Sequence, residues 1–127
     1  MGVRSLGDAL AHRFPVVFQR WCELEYVPAE WRDSGYRVRA LIWASALAVG
    51  ANQRRMTALT MALRDGVPIV DIARALDVRP DARTIRELWE PWALGEMVRH
   101  RQGQGALSPE EFESIRGSLI AEEGPPA

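Results

Sequence analysis

Residues 68–92, PIVDIARALDVRPDARTIRELWEPW, combine two helix patterns with a short polar connection. Pro68 suits the first position of a helix, where its missing N–H group has no intrahelical partner. The apolar residues of the first pattern are Ile69, Ile72, Ala73 and Leu76, at helical spacing. After the tight connection 77–80, Asp81 can cap a second helix. The apolar stripe of this helix is Ile85, Leu88, Trp89 and Trp92. We therefore expect two consecutive helices, the second kinked or split at Pro91.

The regions before residue 68 also favour helices. Ser5, followed by Asp8, marks a first helix start, and Pro15 interrupts the pattern before a helix over 15–26. Residues 28–35 predict a loop or a single helical turn. The apolar spacing predicts a helix over 36–49 that ends at Gly50, with Asn52 capping another helix that runs to Asp65. In the first of these two, one apolar stripe consists of Val38, Leu41, Ile42, Ser45 and Val49, and Trp43 and Leu47 extend the apolar surface around the helix. A helix that is apolar on more than one side is expected to be central in its domain.

The C-terminal region has a polar break and one more helix start. Residues 102–105 predict a flexible linker, and Ser108, Pro109 and Glu111 form a capping pattern. No stretch alternates apolar and polar residues regularly enough to predict a β-strand. We therefore expect an all-α fold of about six or seven short helices in a single domain over 1–121. Residues 122–127, EEGPPA, predict a flexible acidic and proline-containing tail.

Composition narrows the function classes. The 127 residues are 47% hydrophobic and 26% charged, with a net charge of -1, which is typical of an ordinary globular protein. The only cysteine, Cys22, excludes an internal disulfide framework and a multi-cysteine metal site. The apolar run 40–51 is shorter than the roughly 20 residues that span a bilayer. No set of side chains has the spacing of a catalytic or metal-binding site, so we predict a non-enzymatic protein without cofactor or metal. The short apolar run predicts a cytoplasmic protein without membrane association.

The segment 56–92 resembles the helix-turn-helix of DNA-binding proteins. The residues that carry the resemblance are LRDGVPIVDIARALDV (63–78) and RPDARTIRELW (79–89). The pair Ile72-Ala73 matches the aliphatic and small residues of the first helix, and Ile85 matches the aliphatic residue of the second. Asp77 stands where such motifs usually have glycine, and the spacing from Val78 to Ile85 lengthens the turn. The resemblance implies a second helix exposed for insertion into the major groove of duplex DNA.

The resemblance therefore implies a small transcriptional regulator that binds double-stranded DNA as a homodimer. The residues expected to face the bases are Arg83, Thr84, Arg86 and Glu87. The residues expected to contact phosphates are Arg54, Arg55, Arg79, Arg99 and Arg101. These positions lie in residues 32–101, where twelve arginines against eight carboxylates leave a local charge of +4.

The same residues leave a second function class open. Arg83 can pair with Glu87, and Arg86 with Glu90, at the i,i+4 spacing of a solvated structural helix. Five tryptophans in 127 residues are many, and one that stays exposed beside Arg20 or Arg32 would form a protein-binding patch. The alternative prediction is a helical adaptor or subunit that acts by binding another protein.

Overall fold

The computed structural model describes residues 3–105 and 107–124, and within them the chain is helical and contains no strand. The elements are α1 (Leu6–Leu10), α2 (Phe14–Leu24), a 3-10 turn (Ala29–Trp31), α3 (Ser34–Arg64), α4 (Ile69–Leu76), α5 (Ala82–Arg101) and α6 (Pro109–Glu123). The six α-helices confirm the predicted all-α fold class. None of the described helices is long and apolar enough to cross a lipid bilayer.

The contacts divide the chain into two units, Met1–Arg55 and Met56–Ala127, and each unit has its own core. The core of the first unit contains Ala9, Val17, Ile42, Trp43 and Ala46. The larger core of the second unit is centred on Ile85 and Trp89, both completely buried, and on Leu107 and Phe112 beside them. The long helix α3 runs from the first unit into the second.

Side-chain caps begin three of the helices at the residues that the sequence predicts. The Ser5 hydroxyl accepts a hydrogen bond from the N–H of Asp8 at 3.2 Å, and the Asp81 carboxylate accepts one from Thr84 at 2.7 Å. The Ser108 hydroxyl does the same for the N–H of Glu111 at 3.2 Å. Each cap satisfies an N–H group that has no partner inside its helix.

The prediction that a helix ends at Gly50 is wrong, because α3 continues through this residue to Arg64. Gly50 packs against the ring of Phe14, and a Cβ atom there would lie only 2.4 Å from Phe14 Cδ1. The glycine therefore admits an aromatic ring next to the helix rather than ending the helix. Asn52 accordingly lies inside α3 and does not cap a new helix.

The apolar surface predicted for this part of α3 is buried on one side only. Val38, Leu41 and Val49 are exposed, whereas Trp43 and Ala46 are buried with Ile42. The sequence offers apolar residues around most of this part of the helix, so spacing alone does not identify the side that α1 and α2 cover.

Three further local expectations agree with the structure only in part. Pro91 is exposed and does not split α5, which is continuous from Ala82 to Arg101. The linker 102–105 is packed at its end, since a Cβ on Gly105 would lie 1.9 Å from the Glu96 carbonyl oxygen. Glu122 and Glu123, assigned by sequence to a tail, belong to α6. The rest of that predicted tail, residues 125–127, lies outside the described residues.

Candidate functional site

The hairpin formed by α4 and α5 turns at Asp77, which has the left-handed backbone conformation at φ 55°. The N–H of Val78 returns to the carbonyl of Ala73 at 3.0 Å, which satisfies a carbonyl at the end of α4. Asp tolerates this conformation better than most residues because its short polar side chain can hydrogen-bond locally. The predicted tight connection between the two helices is confirmed.

The facing stripes of α4 and α5 meet at the predicted positions. Ile72, Ala73, Ile85 and Trp89 are buried in one cluster, and the half-buried Leu76 packs against it. This confirms the helical register of α5 from Asp81 onward and places the Arg83 side chain on the opposite, exposed side.

An open groove of about 1050 Å³ lies beside the first turns of α5, between the connection 77–81 and the C-terminal end of α6. All four residues expected to face DNA bases line this groove, together with Arg79. Three arginines are opposed by four carboxylates, namely Asp81, Glu87, Glu122 and Glu123. The formal charge of the α5 groove is therefore -1, and phosphates meet no net attraction there.

Arg86 is held by carboxylates of the protein itself. Its guanidinium donates hydrogen bonds to Glu123 at 2.9 and 3.0 Å and to Glu90 at 2.9 Å, and its side chain is only 25% exposed. Arg116 donates to the other oxygen of Glu90 at 2.7 Å. The bonds to Glu123 and Glu90 raise the pKa of Arg86, and those from Arg116 and Arg86 lower the pKa of Glu90. Reading a base with Arg86 would require breaking this network.

The other three residues of the proposed base-reading face are more accessible. Arg83 pairs with Glu87 at 2.9 Å, and the two side chains are 74% and 59% exposed. Such an exposed pair contributes only about 0.2–1 kcal/mol and opens at small cost. Thr84 is half-buried, and its N–H bond to Asp81 lowers the pKa of that carboxyl.

The five expected phosphate contacts do not form one surface with the groove. Arg79 is exposed within it, but Arg99 pairs with Glu96 at 3.1 Å near the other end of α5. Arg101 lies eighteen residues after Arg83 on the same helix, a distance of about 27 Å. Arg54 and Arg55 belong to the first unit. There the Arg54 guanidinium lies 4.5 Å from the centre of the Phe14 ring, and Arg55 donates to Asn52.

A second candidate site is the connection between α2 and α3, residues 25–33, here called the aromatic loop. Tyr26 is 85% exposed and Trp31 is 69% exposed, although both are large aromatic residues. Trp31 therefore meets the sequence-derived condition of an exposed tryptophan next to Arg32. Sequence spacing gives no comparable signal for Tyr26, because its exposure depends on the path of the loop.

Hydrogen bonds from Arg32 and Tyr36 hold the backbone of the aromatic loop. Arg32 donates to the carbonyl oxygens of Val27 at 3.0 Å and of Glu25 at 3.1 Å, and its guanidinium lies over the Tyr36 ring. The Tyr36 hydroxyl donates to the Leu24 carbonyl at 3.1 Å. The loop thus presents its exposed aromatic rings from a fixed backbone.

The described residues contain no group of three or more His, Cys, Asp or Glu side chains arranged to hold a metal ion. Comparison with models of known protein families, with curated proteins and with solved structures gave no match for this chain.

Proposed function

We propose that this protein is a non-enzymatic, cytoplasmic helical module that binds another protein through the aromatic loop. The observation that carries the proposal is the exposure of Trp31 and Tyr26 on a loop whose backbone is fixed by Arg32. Tryptophan, tyrosine and arginine are the residues most enriched at the energetic centres of protein interfaces. A large aromatic ring left in water gains free energy when a partner covers it.

The fixed backbone of the loop also favours binding. Association is weakened by the entropy lost when loops and side chains become ordered. Arg32 already holds residues 25 and 27, so less of that entropy is lost when a partner covers Trp31. The Arg32 guanidinium is engaged with the carbonyls of the loop, so Trp31 and Tyr26 are the proposed contact residues.

The test is affinity capture from cells of the source organism with quantitative mass spectrometry, followed by titration with the purified partner. We expect Trp31→Ser to weaken the titrated affinity at least tenfold, since Trp31 is the larger exposed ring. Leu94→Ser is the matched control, because Leu94 is an exposed apolar residue on α5. A partner bound equally by wild type and Trp31→Ser, or no partner at all, would overturn the proposal.

DNA binding by a helix-turn-helix regulator is the second candidate function. It is supported by the formed α4–α5 hairpin and by the exposure of Arg83 and Arg79 beside it. The four carboxylates of the α5 groove and the engagement of Arg86 weigh against it.

Fluorescence anisotropy with labelled random-sequence duplexes at low salt tests this second candidate. The DNA hypothesis expects binding that weakens steeply with added salt, because neutralised phosphates release counterions. It also expects the double variant Arg79→Ala/Arg83→Ala to lose that binding, with Arg74→Ala as an exposed control on α4. Absence of binding at low salt, or binding indifferent to the double variant, would rule this function out.

A further inference from the structure

One side of α3 in the first unit is apolar and uncovered. Leu41 is 68% exposed, Val38 55% and Val49 47%, and Ala48 is exposed as well. At 100° per residue these four side chains fall within about 100° of one another around the helix, opposite the buried Trp43. The buried Ile42 and Ala46 lie beyond the edge that Val49 forms. Ser45 lies in the middle of the same side. We call these five residues the α3 face.

Arginines border the α3 face at both ends. Arg37 and Arg55 fall at the same angle around the helix, next to Leu41, and are separated by eighteen residues or about 27 Å. Both are exposed, and among the described residues no carboxylate pairs with either of them. The sequence of α3, Ser34–Arg64, contains five arginines and no acidic residue.

We infer that the α3 face binds an acidic amphipathic helix of a partner protein. The inference rests on the proposed function and names the chemistry of the partner. An apolar stripe between two arginines that pair with no carboxylate among the described residues is complementary to a helix with aliphatic residues on one side and glutamates along its edges. The small side chains of Ser45 and Ala48 in the middle of the face allow the two helix backbones to approach closely.

The charge of α3 argues against a second copy of this chain as the occupant. Two α3 helices packed on this face would bring arginines towards arginines, and neither helix has a carboxylate to compensate. The narrow face also differs from that of helices that bind membranes. It lacks the aromatic residues that such helices bury at the lipid boundary.

A displayed helix library tests the inference directly. Each helix is about 20 residues long, to match the 27 Å between Arg37 and Arg55, with leucine and alanine fixed at heptad a and d positions. The remaining positions are drawn equally from glutamate and lysine. Selection on the full-length protein should enrich glutamate over lysine at least threefold at the positions that flank the apolar stripe.

Variants of the bait locate the binding site. Leu41→Asp should abolish the enrichment, and Arg37→Glu/Arg55→Glu should reverse it toward lysine. Leu94→Asp, at an exposed position of α5, should leave the enrichment of glutamate unchanged. Enrichment of lysine by wild type, no enrichment, or indifference to Leu41→Asp would overturn the inference.

Two other binding partners of the α3 face, a second copy of this chain and a lipid membrane, are tested by separate measurements. Sedimentation that shows dimers disrupted by Leu41→Asp would replace the inference with self-association. Binding to vesicles of phosphatidylcholine and phosphatidylserine that Leu41→Asp abolishes would replace it with a membrane surface. If the captured partner depends on Trp31 but not on Leu41, the proposed function stands and the inference about α3 fails.

Discussion

The indole N–H of Trp89 donates a hydrogen bond to the hydroxyl oxygen of Thr60 at 3.0 Å, and both residues are buried. The Thr60 hydroxyl in turn donates to the Met56 carbonyl at 2.8 Å. This short chain of hydrogen bonds fastens the middle of α5 to α3 inside the core of the second unit. Burying the largest side chain of that core therefore leaves no polar atom of the indole without a partner.

Thr60→Val should lower the free energy of unfolding by about 1–3 kcal/mol, because it leaves a buried indole N–H without an acceptor. The shape of the side chain is nearly unchanged, so packing contributes little to the loss. In the background of Trp89→Phe the same substitution should cost much less, since no donor remains to be satisfied. Urea denaturation of the four variants of this cycle measures the coupling, and equal costs in both backgrounds would contradict it.

Trp89→Ala should lower the free energy of unfolding by about 3–5 kcal/mol, the range for removing a large buried aromatic side chain. Trp89 is completely buried and stacks on Phe112 with the ring centres 5.5 Å apart. Arg83→Ala, on the exposed side of the same helix, should cost no more than about 0.5 kcal/mol. Chemical denaturation distinguishes the two, and similar costs would mean that the register of α5 is different.

Gly50→Ala should lower the free energy of unfolding by about 1–3 kcal/mol, although alanine favours helices more than glycine does. The new Cβ would overlap the Phe14 ring. Gly95→Ala and Gly117→Ala are matched controls, because each glycine is helical and has nothing within 4 Å of the added atom. These controls should gain about 0.5–1 kcal/mol, measured by thermal or urea unfolding. A gain of the same size at Gly50 would refute the close approach of Phe14.

Glu90→Gln should lower the free energy of unfolding at neutral pH by about 1–2 kcal/mol, between the values for exposed and buried ion pairs. The folded pKa of Glu90 lies below the ordinary value of 4.5. The unfolded chain therefore binds the proton more readily, so the contribution of Glu90 is complete above pH 4.5 and is lost as the pH falls below it. Urea denaturation at a series of pH values from 7 to 2.5 should show the free energies of unfolding of wild type and Glu90→Gln converging as the pH falls.

The matched control for this prediction is Glu87→Gln, which removes the exposed pair with Arg83. It should cost no more than about 0.5 kcal/mol at pH 7. A gap between wild type and Glu90→Gln that stayed constant down to pH 2.5 would mean that the carboxylate charge of Glu90 is not its source.

Asp77→Gly should raise the free energy of unfolding by up to about 1 kcal/mol, because glycine adopts the left-handed conformation without a steric penalty. Asp77→Val should lower it by about 1–2 kcal/mol, since a branched Cβ is strained at φ 55°. Urea denaturation compares the pair. Stabilisation by valine, or a loss with glycine, would show that the Asp77 side chain supports the turn more than its backbone conformation costs.

The elements that the sequence alone predicted correctly depend on groups a few residues apart. Ser5, Asp81 and Ser108 cap helices through N–H groups three residues away, and Asp77 ends α4 through its own backbone angles. The stripe that includes Ile85 and Trp89 was equally predictable, because α5 has one strongly apolar side there. Local chemistry of this kind acts whatever the rest of the chain does.

The tertiary structure decided the features in which distant residues meet. Glycine commonly ends helices, and only the position of the Phe14 ring explains why Gly50 lies inside α3. Glu90 lies one helical turn after Arg86, so that contact is predictable from the sequence. The second partner of the Arg86 guanidinium, Glu123, lies thirty-seven residues later and is brought to it only by the fold. Which side of α3 remains uncovered, with Leu41 exposed and Trp43 buried, likewise depends on where other helices pack. Sequence spacing specifies which residues share a side of a helix, whereas packing determines which side the core covers.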